Sequence, residues 1–215
     1  MSYDGAVTNG GPAQTRDLSD LTITKLSVGP MDNNAYLVRC KATGEAVLID
    51  AANEPERLLE LIGDNQLSIV VTTHQHADHW QGLQRVVDAT GAESVAHPAD
   101  AGGIPVVTST VEDGDSVRVG TCSLEVISIK GHTPGSIALL YRGDGGHLFT
   151  GDSLFPGGVG NTDDDPARFS ALIGDVSTKI FDRLPDEVWF YPGHGKDSTL
   201  GAERGSLPEW RARGW

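Results

Sequence analysis

Residues 70–80 read Val-Val-Thr-Thr-His-Gln-His-Ala-Asp-His-Trp, which places three histidines and an aspartate within six positions, directly after a β-branched run. The run over 68–72 predicts a buried strand, and the helical periodicity over 80–90 ends at Gly91. The cluster therefore lies on a strand-to-helix loop, where a rigid scaffold commonly presents reactive side chains. Any fold of this chain must accommodate that loop.

The spacing of the four side chains indicates metal binding. His74 and His76 are two residues apart, so on an extended segment they point the same way and can share one ion. Asp78 and His79 follow where the chain turns, and they face away toward a second ion. Because a zinc site needs about three or four ligands, the cluster alone cannot complete two sites.

Three later residues follow predicted strands and lie beside glycines: His132 in Gly-His-Thr-Pro-Gly, Asp152 in Thr-Gly-Asp-Ser and His194 in Pro-Gly-His-Gly. Glycine permits tight turns, so these side chains can reach the same edge of a sheet. The set becomes seven ligands for two metals, with one carboxylate free to bridge. A lone histidine is usually a surface or core residue, and His97 and His147, which lack this setting, are predicted to be surface or supporting groups.

The remaining pattern predicts layered sheets covered by helices. Period-two or β-branched runs predict strands, and apolar periodicity with capping residues predicts helices. Predicted strands cover 21–28, 35–39, 46–50, 68–72, 116–119, 123–129, 137–141, 147–150 and 187–191, and predicted helices cover 54–63, 80–90 and 166–184. Residues 1–20 are a polar, Gly-rich N-terminal extension, and 21–215 form one domain.

Composition excludes several partners. The chain has 16 basic and 30 acidic residues, a formal charge of −14, which would repel a phosphate backbone, so no nucleic acid partner is expected. No apolar run approaches a membrane span and the N-terminus does not read as a secretion signal, which predicts a globular, cytoplasmic protein without membrane contact. Cys40 and Cys122 are predicted to be reduced, buried thiols without chemistry.

The ordered pattern His74-x-His76-x-Asp78-His79, His132, Asp152 and His194 resembles the metallo-β-lactamase superfamily, from about Leu21 to the end of the chain. The fold that this resemblance implies is α+β, a four-layer αββα sandwich. Asp50, in Leu-Ile-Asp, looks like the family's structural aspartate, which supports the metal loop without binding metal.

By the same resemblance, His74, His76 and His132 hold a first metal, whereas Asp78, His79 and His194 hold a second. Asp152 resembles the bridging aspartate of the glyoxalase II branch. The motifs around the last three ligands and the tail over 198–204 look most like bacterial single-domain glyoxalase II-like hydrolases. Two divalent ions are implied as cofactors, with zinc expected and iron or manganese as alternatives.

The chain departs from the two-domain glyoxalase II enzymes, which add a helical domain with basic residues for the glutathione carboxylates. Asn161 also stands where several relatives have a basic residue. Lys196, Arg204, Arg211 and Arg213 are candidates to replace it, although solvated surface charge accounts for them as well. Trp80, Phe155 with Pro156, Trp210 and Trp215 are aromatic and flanking residues that either line a pocket or pack in the core.

The predicted function is a metal-dependent hydrolase that cleaves the thioester of a small thiol, with Asp78 and His79 as catalytic residues. Two metals about 3.5 to 4 Å apart lower the pKa of a shared water to about 7 and so supply hydroxide. The main alternative is a persulfide dioxygenase, a class that also resembles the sequence, with one iron held by His74, His132 and Asp152. A non-catalytic metal-binding module is the second alternative. The substrate is a small molecule, and its acyl group, its thiol and the oligomeric state stay open.

Overall fold

A computed structural model describes residues 3–214, and two β-sheets lie at its centre. The first sheet has seven strands in sequence order: β1 (Gln14–Asp17), β2 (Leu21–Val28), β3 (Asn33–Cys40), β4 (Glu45–Ile49), β5 (Gln66–Val71), β6 (Glu93–Ala96) and β7 (Ser109–Thr110). Strands β1 to β4 pair antiparallel and β4 to β7 pair parallel.

The second sheet has six strands in the order β15-β14-β11-β10-β9-β8. They are β8 (Ser116–Val119), β9 (Cys122–Ser128), β10 (Ile137–Tyr141), β11 (His147–Gly151), β14 (Trp189–Pro192) and β15 (Ser198–Thr199). Strands β11 and β14 are parallel, whereas the other pairs are antiparallel. A small hairpin joins β12 (Leu154–Phe155) to β13 (Gly158–Val159).

The helices lie on the outer faces of the two sheets. They are α1 (Pro55–Ile62), α2 (Leu83–Thr90), α3 (Pro98–Ala101), α4 (Pro166–Asp175), α5 (Leu200–Arg204) and α6 (Leu207–Arg213). Leu58 of α1 and Leu83 of α2 pack on the first sheet, and Leu172 of α4 packs on the second. Residues such as Val38 and Val126 fill the space between the sheets. These three apolar layers separate four layers of structure, so the predicted αββα sandwich is confirmed.

The helix predicted over 80–90 begins later than expected, at Leu83. Ala77–His79 form a short 3-10 turn. The backbone N–H groups of Gln81 and Gly82 then donate to the carbonyls of Ala52 and Ala51, at 3.0 and 2.9 Å. These bonds to a neighbouring loop replace the first helical turn, and they fix the end of the metal-binding motif against the loop that follows β4.

The long helix predicted over 166–184 changes its winding part of the way along. It is α-helical as far as Asp175, and Val176–Phe181 form a π-helical segment. The Ser177 hydroxyl donates to the carbonyl of Ile173 at 2.6 Å, a side-chain bond that competes with regular backbone pairing. Hydrophobic periodicity reports which face is buried, but a local change of winding of this kind is invisible to it.

Two features within the predicted N-terminal extension are ordered parts of the sandwich. Gln14–Asp17 pair with β2, and the hydroxyl of Tyr3 donates to Asp197 at 2.6 Å. Polar composition concealed this strand because β1 is an edge strand with alternating half-buried and exposed residues. Among residues 3–214, no helix is long and apolar enough to cross a membrane.

Some residues that were predicted not to bind metal differ from the prediction in their burial. His147 is more buried than predicted, and Cys122 is less buried. His147, predicted to be a surface or supporting group, is buried within β11 with Nδ1 2.8 Å from the hydroxyl of Tyr191. His97 caps α3, where Nδ1 accepts from the N–H of Ala99. Cys40 is buried and Cys122 is half-buried, and both are free thiols.

Candidate metal centre

Strand ends from both sheets meet at one edge of the sandwich, and the loops that follow them carry the predicted metal ligands. The loop after β5 carries His74–His79, the loop after β9 carries His132, and those after β11 and β14 carry Asp152 and His194. Cross-sheet bonds join these loops, because Ile137 N–H donates to Thr73 O and Asn34 N–H donates to Gly193 O. Side chains separated by up to 120 positions (194 − 74) thus face one another.

The seven predicted ligands fall into overlapping groups whose ligand atoms lie within 4.8 Å of one another. The groups are His74, His76 and His132; Asp78, His79 and His194; and His74, His79 and Asp152. The first two groups are the two metal sets that the resemblance implies. The third connects them through a histidine from each set and the aspartate.

Asp152 lies between the two sets. Its Oδ1 is 3.4 Å from Nε2 of His79, and its Oδ2 is 3.8 Å from Nε2 of His132 and 3.5 Å from Nε2 of His194. Asp78 completes the second set, with Oδ2 3.5 Å from Nε2 of His79 and 3.3 Å from Nε2 of His194. A carboxylate that reaches both sets has the geometry that a bridging ligand needs.

Hydrogen bonds to the outer ring nitrogens leave Nε2 of four histidines directed at the centre. His132 Nδ1–H donates to the carbonyl of Asn161 at 2.7 Å, and His194 Nδ1–H donates to the carbonyl of Met31 at 3.0 Å. His79 Nδ1 lies 2.8 Å from Asp50. Such bonds fix both the tautomer and the orientation of a histidine ligand. Burial lowers the pKa of His79 and of His194, but Asp152 outweighs it and raises both. A metal would therefore displace a proton from these two Nε2 atoms, whereas the rings of His74 and His132 are neutral already.

Asp50 organises the main loop from behind. It has a left-handed backbone, φ 57°, and its carboxylate accepts from the N–H and the hydroxyl of Thr73, both at 2.8 Å, and from His79. Because the Thr73 hydroxyl gives its hydrogen to Asp50, its oxygen accepts from Nδ1–H of His74 at 3.0 Å. One buried carboxylate thus orients a histidine from each set.

Electrostatics keep the carboxylates ionised. Burial raises the pKa of Asp152, but the neighbouring His79 and a hydrogen bond from His194 outweigh it and hold that pKa well below its usual value. The pKa of Asp78 is also lowered, since His79 and the Asn33 amide outweigh the effect of burial. Burial lowers the pKa of His74 and of His132, so these two imidazoles are neutral at pH 7.

The arrangement fits a metal pair better than a closed hydrogen-bond network. Nε2 of His79 and Oδ1 of Asp152 are buried 3.4 Å apart, and neither makes a hydrogen bond among the described residues. Burying polar atoms without a partner costs about 1–3 kcal/mol each. Since both atoms point toward the centre and are good donors of lone pairs to zinc or iron, a divalent cation would satisfy them together.

Two glycines are required by close packing around Asp152. A Cβ at Gly193 would lie 2.2 Å from Oδ1 of Asp152 and 2.7 Å from Cε1 of His79. A Cβ at Gly160 would lie 1.8 Å from the carbonyl oxygen of Asp152. No side chain fits at either place, which is why glycines accompany these ligands in the sequence.

Several residues around the centre were not singled out from the sequence. The amide of Asn33 donates to Oδ2 of Asp78 at 2.9 Å, and that of Asn34 donates to the carbonyls of Pro192 and Gly195. Arg168 of α4 donates to the carbonyls of the Gly131–His132 loop and pairs with Asp163. The only available signal was that Asn33 and Asn34 are polar residues next to a strand pattern.

Of the four basic residues predicted as candidates for an anionic pocket, the three arginines make hydrogen bonds elsewhere in the structure. Arg204 donates to Asp186 and to the carbonyls of Phe181 and Leu184, and Arg211 donates to the Ser177 hydroxyl. Lys196 is exposed. Arg213 Nη2 donates to the carbonyl of Gly157. Arg204 and Arg211 are therefore structural groups that contact the π-helical segment and the loop after it.

The aromatic candidates divide between the centre and the core. The Phe155 ring centroid is 6.4 Å from that of His194, and Trp80 Nε1–H donates to the carbonyl of Gln75. Trp210 is buried and packs against Phe181 in the apolar layer between the second sheet and its helices. Trp215 lies outside the described residues. Phe155 and Trp80 are thus the members of this set that contact the metal-binding loops.

The chain belongs to the metallo-β-lactamase superfamily, because the model of that family matches residues 28–194. Among curated proteins, it is 37% identical over 164 residues to a hydroxyacylglutathione hydrolase of Polaromonas sp., a match covering 75% of this chain and 62% of that enzyme. The matched region thus spans less than two thirds of this longer relative.

Solved structures agree with this family. ETHE1 from Myxococcus xanthus is 30% identical, with a TM-score of 0.75, covering 94% of this chain and 85% of that one. TTHA1623, solved in a di-iron-bound form, is 32% identical, with a TM-score of 0.71, covering 84% of this chain and 96% of that one. The family and the fold are thus shared with these proteins, and one of them was solved with two irons bound.

Proposed function

We propose that the chain is a metal-dependent hydrolase that cleaves the thioester of a small thiol. The observation that carries this proposal is the position of Asp152 between the two histidine sets, within 3.8 Å of a ligand nitrogen from each. The likeness to hydroxyacylglutathione hydrolases supports the thioester as the bond cleaved. The catalytic domain is proposed to be 21–215, with β1 of the preceding segment paired to its first sheet, and the location is proposed to be cytoplasmic.

We propose His74, His76 and His132 as ligands of one ion, Asp78, His79 and His194 as ligands of the other, and Asp152 as the bridge. A bound pair of divalent ions, zinc or iron in the first instance, would supply hydroxide near neutral pH and polarise the thioester carbonyl. The lowered pKa of Asp78 leaves it a carboxylate at pH 7, so it can accept a hydrogen bond from the attacking water and orient it.

The test measures free-thiol release from S-D-lactoylglutathione by zinc-loaded, iron-loaded and chelator-treated protein. We expect release by a loaded sample and its loss with the chelator. Asp78→Ala and His79→Ala are expected to lower kcat by at least roughly 100-fold while the fold is retained, because each removes both a ligand and an orienting group. His97→Ala, a histidine outside the centre, is the matched control and retains turnover.

Substantial turnover by metal-loaded Asp78→Ala would contradict the catalytic role, and absence of release from every thioester would contradict the function. Arg168, which lies beside the His132 loop, is paired with Asp163 and so is not a free cation for a glutathione carboxylate. The thioester of a neutral thiol is therefore compared with that of glutathione. Faster turnover of the neutral thioester would assign the carrier class. Metal retention without turnover of any ester, thioester or persulfide would indicate the non-catalytic module.

The second candidate is an iron-dependent persulfide dioxygenase, which the likeness to ETHE1 supports, but no better than the hydrolases support the first. It would use one iron held by His74, His132 and Asp152. The two reactions separate at His194, which belongs only to the second set. His194→Ala is expected to abolish hydrolysis, whereas oxygen uptake with a persulfide that survives this change would favour the dioxygenase.

A further inference from the structure

Asp100 is a buried carboxylate with no assigned role, and it joins two of the metal-binding loops. It lies in the short helix α3, which follows β6, and its side chain is 0% exposed. Its Oδ2 accepts from the N–H of Gln75 at 3.0 Å and from the hydroxyl of Thr133 at 2.5 Å. Its Oδ1 accepts from the N–H of Gly135 at 2.7 Å.

The three donors surround one metal set. Gln75 lies between His74 and His76, and Thr133 directly follows His132. All three histidines of the first set are therefore adjacent in sequence to a residue that Asp100 holds. The Thr133 hydroxyl also lies 2.6 Å from that of Ser136, which ties the far side of the same loop to the carboxylate.

We propose that Asp100 is a positioning residue for the first metal set, a role that rests on the proposed metal centre but not on its substrate. It acts through the loops rather than on the metal, as Asp50 does through Thr73 and His79. Outer residues that orient metal ligands typically change metal affinity by about 10–100-fold when replaced. The first set should thus lose affinity selectively when Asp100 is changed.

Asp100→Asn tests this role with little change of volume. An amide group cannot replace the carboxylate, because in one orientation its NH2 faces the N–H of Gln75 and in the other it faces that of Gly135. Two facing donors cannot bond, so either the Gln75 or the Gly135 backbone bond is lost. Asp113→Asn is the matched control, since Asp113 accepts a backbone N–H from Ser128 and the same charge is lost.

The experiment measures Zn²⁺ and Co²⁺ affinity of the full chain by competition with a chromophoric chelator, in two backgrounds. In His194→Ala, the tight ion is held by the first set, and adding Asp100→Asn should weaken it roughly 10–100-fold. In His132→Ala, the tight ion is held by the second set, and the same change should alter its affinity less than about threefold. The Asp113→Asn control should leave both affinities unchanged.

A second pair of variants guards against failure to fold. Thr133→Val removes one bond to Asp100, and Thr133→Ser keeps the hydroxyl, so the serine should restore the affinity that the valine loses. Equal weakening in both backgrounds, or no weakening in either, would overturn the positioning role. If the unchanged chain binds no ion, the proposed centre itself fails, and this result is distinct from ion binding that is insensitive to Asp100→Asn.

Discussion

At the residue scale, the buried carboxylates around the centre differ in their hydrogen-bond partners. Asp50, Asp78, Asp100 and Asp152 lie near one another in the fold, yet they have different partners. Asp50 and Asp100 accept only from protein donors, whereas Oδ1 of Asp152 has no hydrogen-bond partner in the described chain. A carboxylate whose lone pairs are filled by N–H groups is suited to positioning loops, and one with an unfilled lone pair, such as Asp152, is suited to binding a metal.

The candidate ligands stood out in the sequence because histidines at this spacing in a strand-to-helix loop are typical of metal sites, and the structure brings all seven side chains together. Asp100 could not be predicted. Its neighbours, Pro98-Ala-Asp-Ala, read as an ordinary helix start, and its three donors lie 25 to 35 positions away. The burial of His147 was missed for a similar reason, since its partner, Tyr191, lies on a strand 44 positions later.

His147 provides a pH test of stability. Burial, and then the charge of Arg16, lowers its pKa to about 4 in the folded chain, while the unfolded value is near 6.5. Between these values the unfolded chain binds the additional proton, so the free energy of unfolding falls as pH falls from about 6.5 toward 4. This one group should remove roughly 2 kcal/mol between pH 7 and pH 5.

The measurement is urea unfolding of metal-free protein at pH 7, 6 and 5, with His147→Phe alongside. The variant has no group to protonate at this position, so its loss of stability between pH 7 and 5 should be smaller than that of the parent by about the same amount. Its stability at pH 7 is a separate matter, because it also loses the contact with Tyr191. Parallel pH profiles for the two proteins would contradict the assignment.

At the element scale, strand ends and the glycines that follow them bring the ligands together. The parallel strands β4 and β5 end at Asp50 and the histidine cluster, and the parallel pair β11 and β14 ends at Asp152 and His194. The sequence predicted that these side chains could reach one edge because each follows a strand beside a glycine, but the parallel pairings that bring the strand ends together were not predicted. The start of α2 depends on tertiary bonds, and the π-helical segment contains a local bond from the Ser177 hydroxyl; neither leaves a periodic signal.

Gly193→Ala is expected to weaken metal binding by roughly tenfold or more, since it displaces a ligand. The new methyl group would lie 2.2 Å from Oδ1 of Asp152, so the carboxylate or the loop after β14 must move. Gly174→Ala is the matched control because a Cβ there meets nothing within 4 Å and the residue is within α4. The control should gain about 0.5–1 kcal/mol of stability without any change in metal affinity.

Chelator competition gives the metal affinity of both variants, and urea unfolding gives their stability. Unchanged metal affinity in Gly193→Ala would show that the loop yields without moving Asp152, contrary to this expectation.

At the scale of the whole molecule, a buried ion pair joins the N-terminal segment to the last metal-binding loop. The side chains of Lys25 of β2 and Asp197 are both 0% exposed, with Nζ 2.6 Å from Oδ1. Nζ also donates to the carbonyls of Gly5 and Gly195, each at 2.8 Å. Tyr3 donates to the other oxygen of Asp197, so the segment before β1 closes over the pair.

Lys25→Met should destabilise the chain by about 3–5 kcal/mol, because it leaves the Asp197 charge buried with no cation. Lys41→Met is the matched control. Lys41 pairs with Asp17 at the surface, where an ion pair contributes only about 0–1 kcal/mol. Urea unfolding at pH 7 gives the free energy of unfolding of both variants. Equal losses of stability would contradict the larger cost expected for the buried pair.

The distribution of ligands along the chain also has a consequence for biosynthesis. The ribosome makes about 5–20 residues per second, so the 120 residues from His74 to His194 take roughly 6–24 seconds to appear. During that interval the nascent chain displays His74, His76, Asp78 and His79 without Asp152 or His194. With the proposed ligands, the second metal site is therefore complete only after the last loop has been translated.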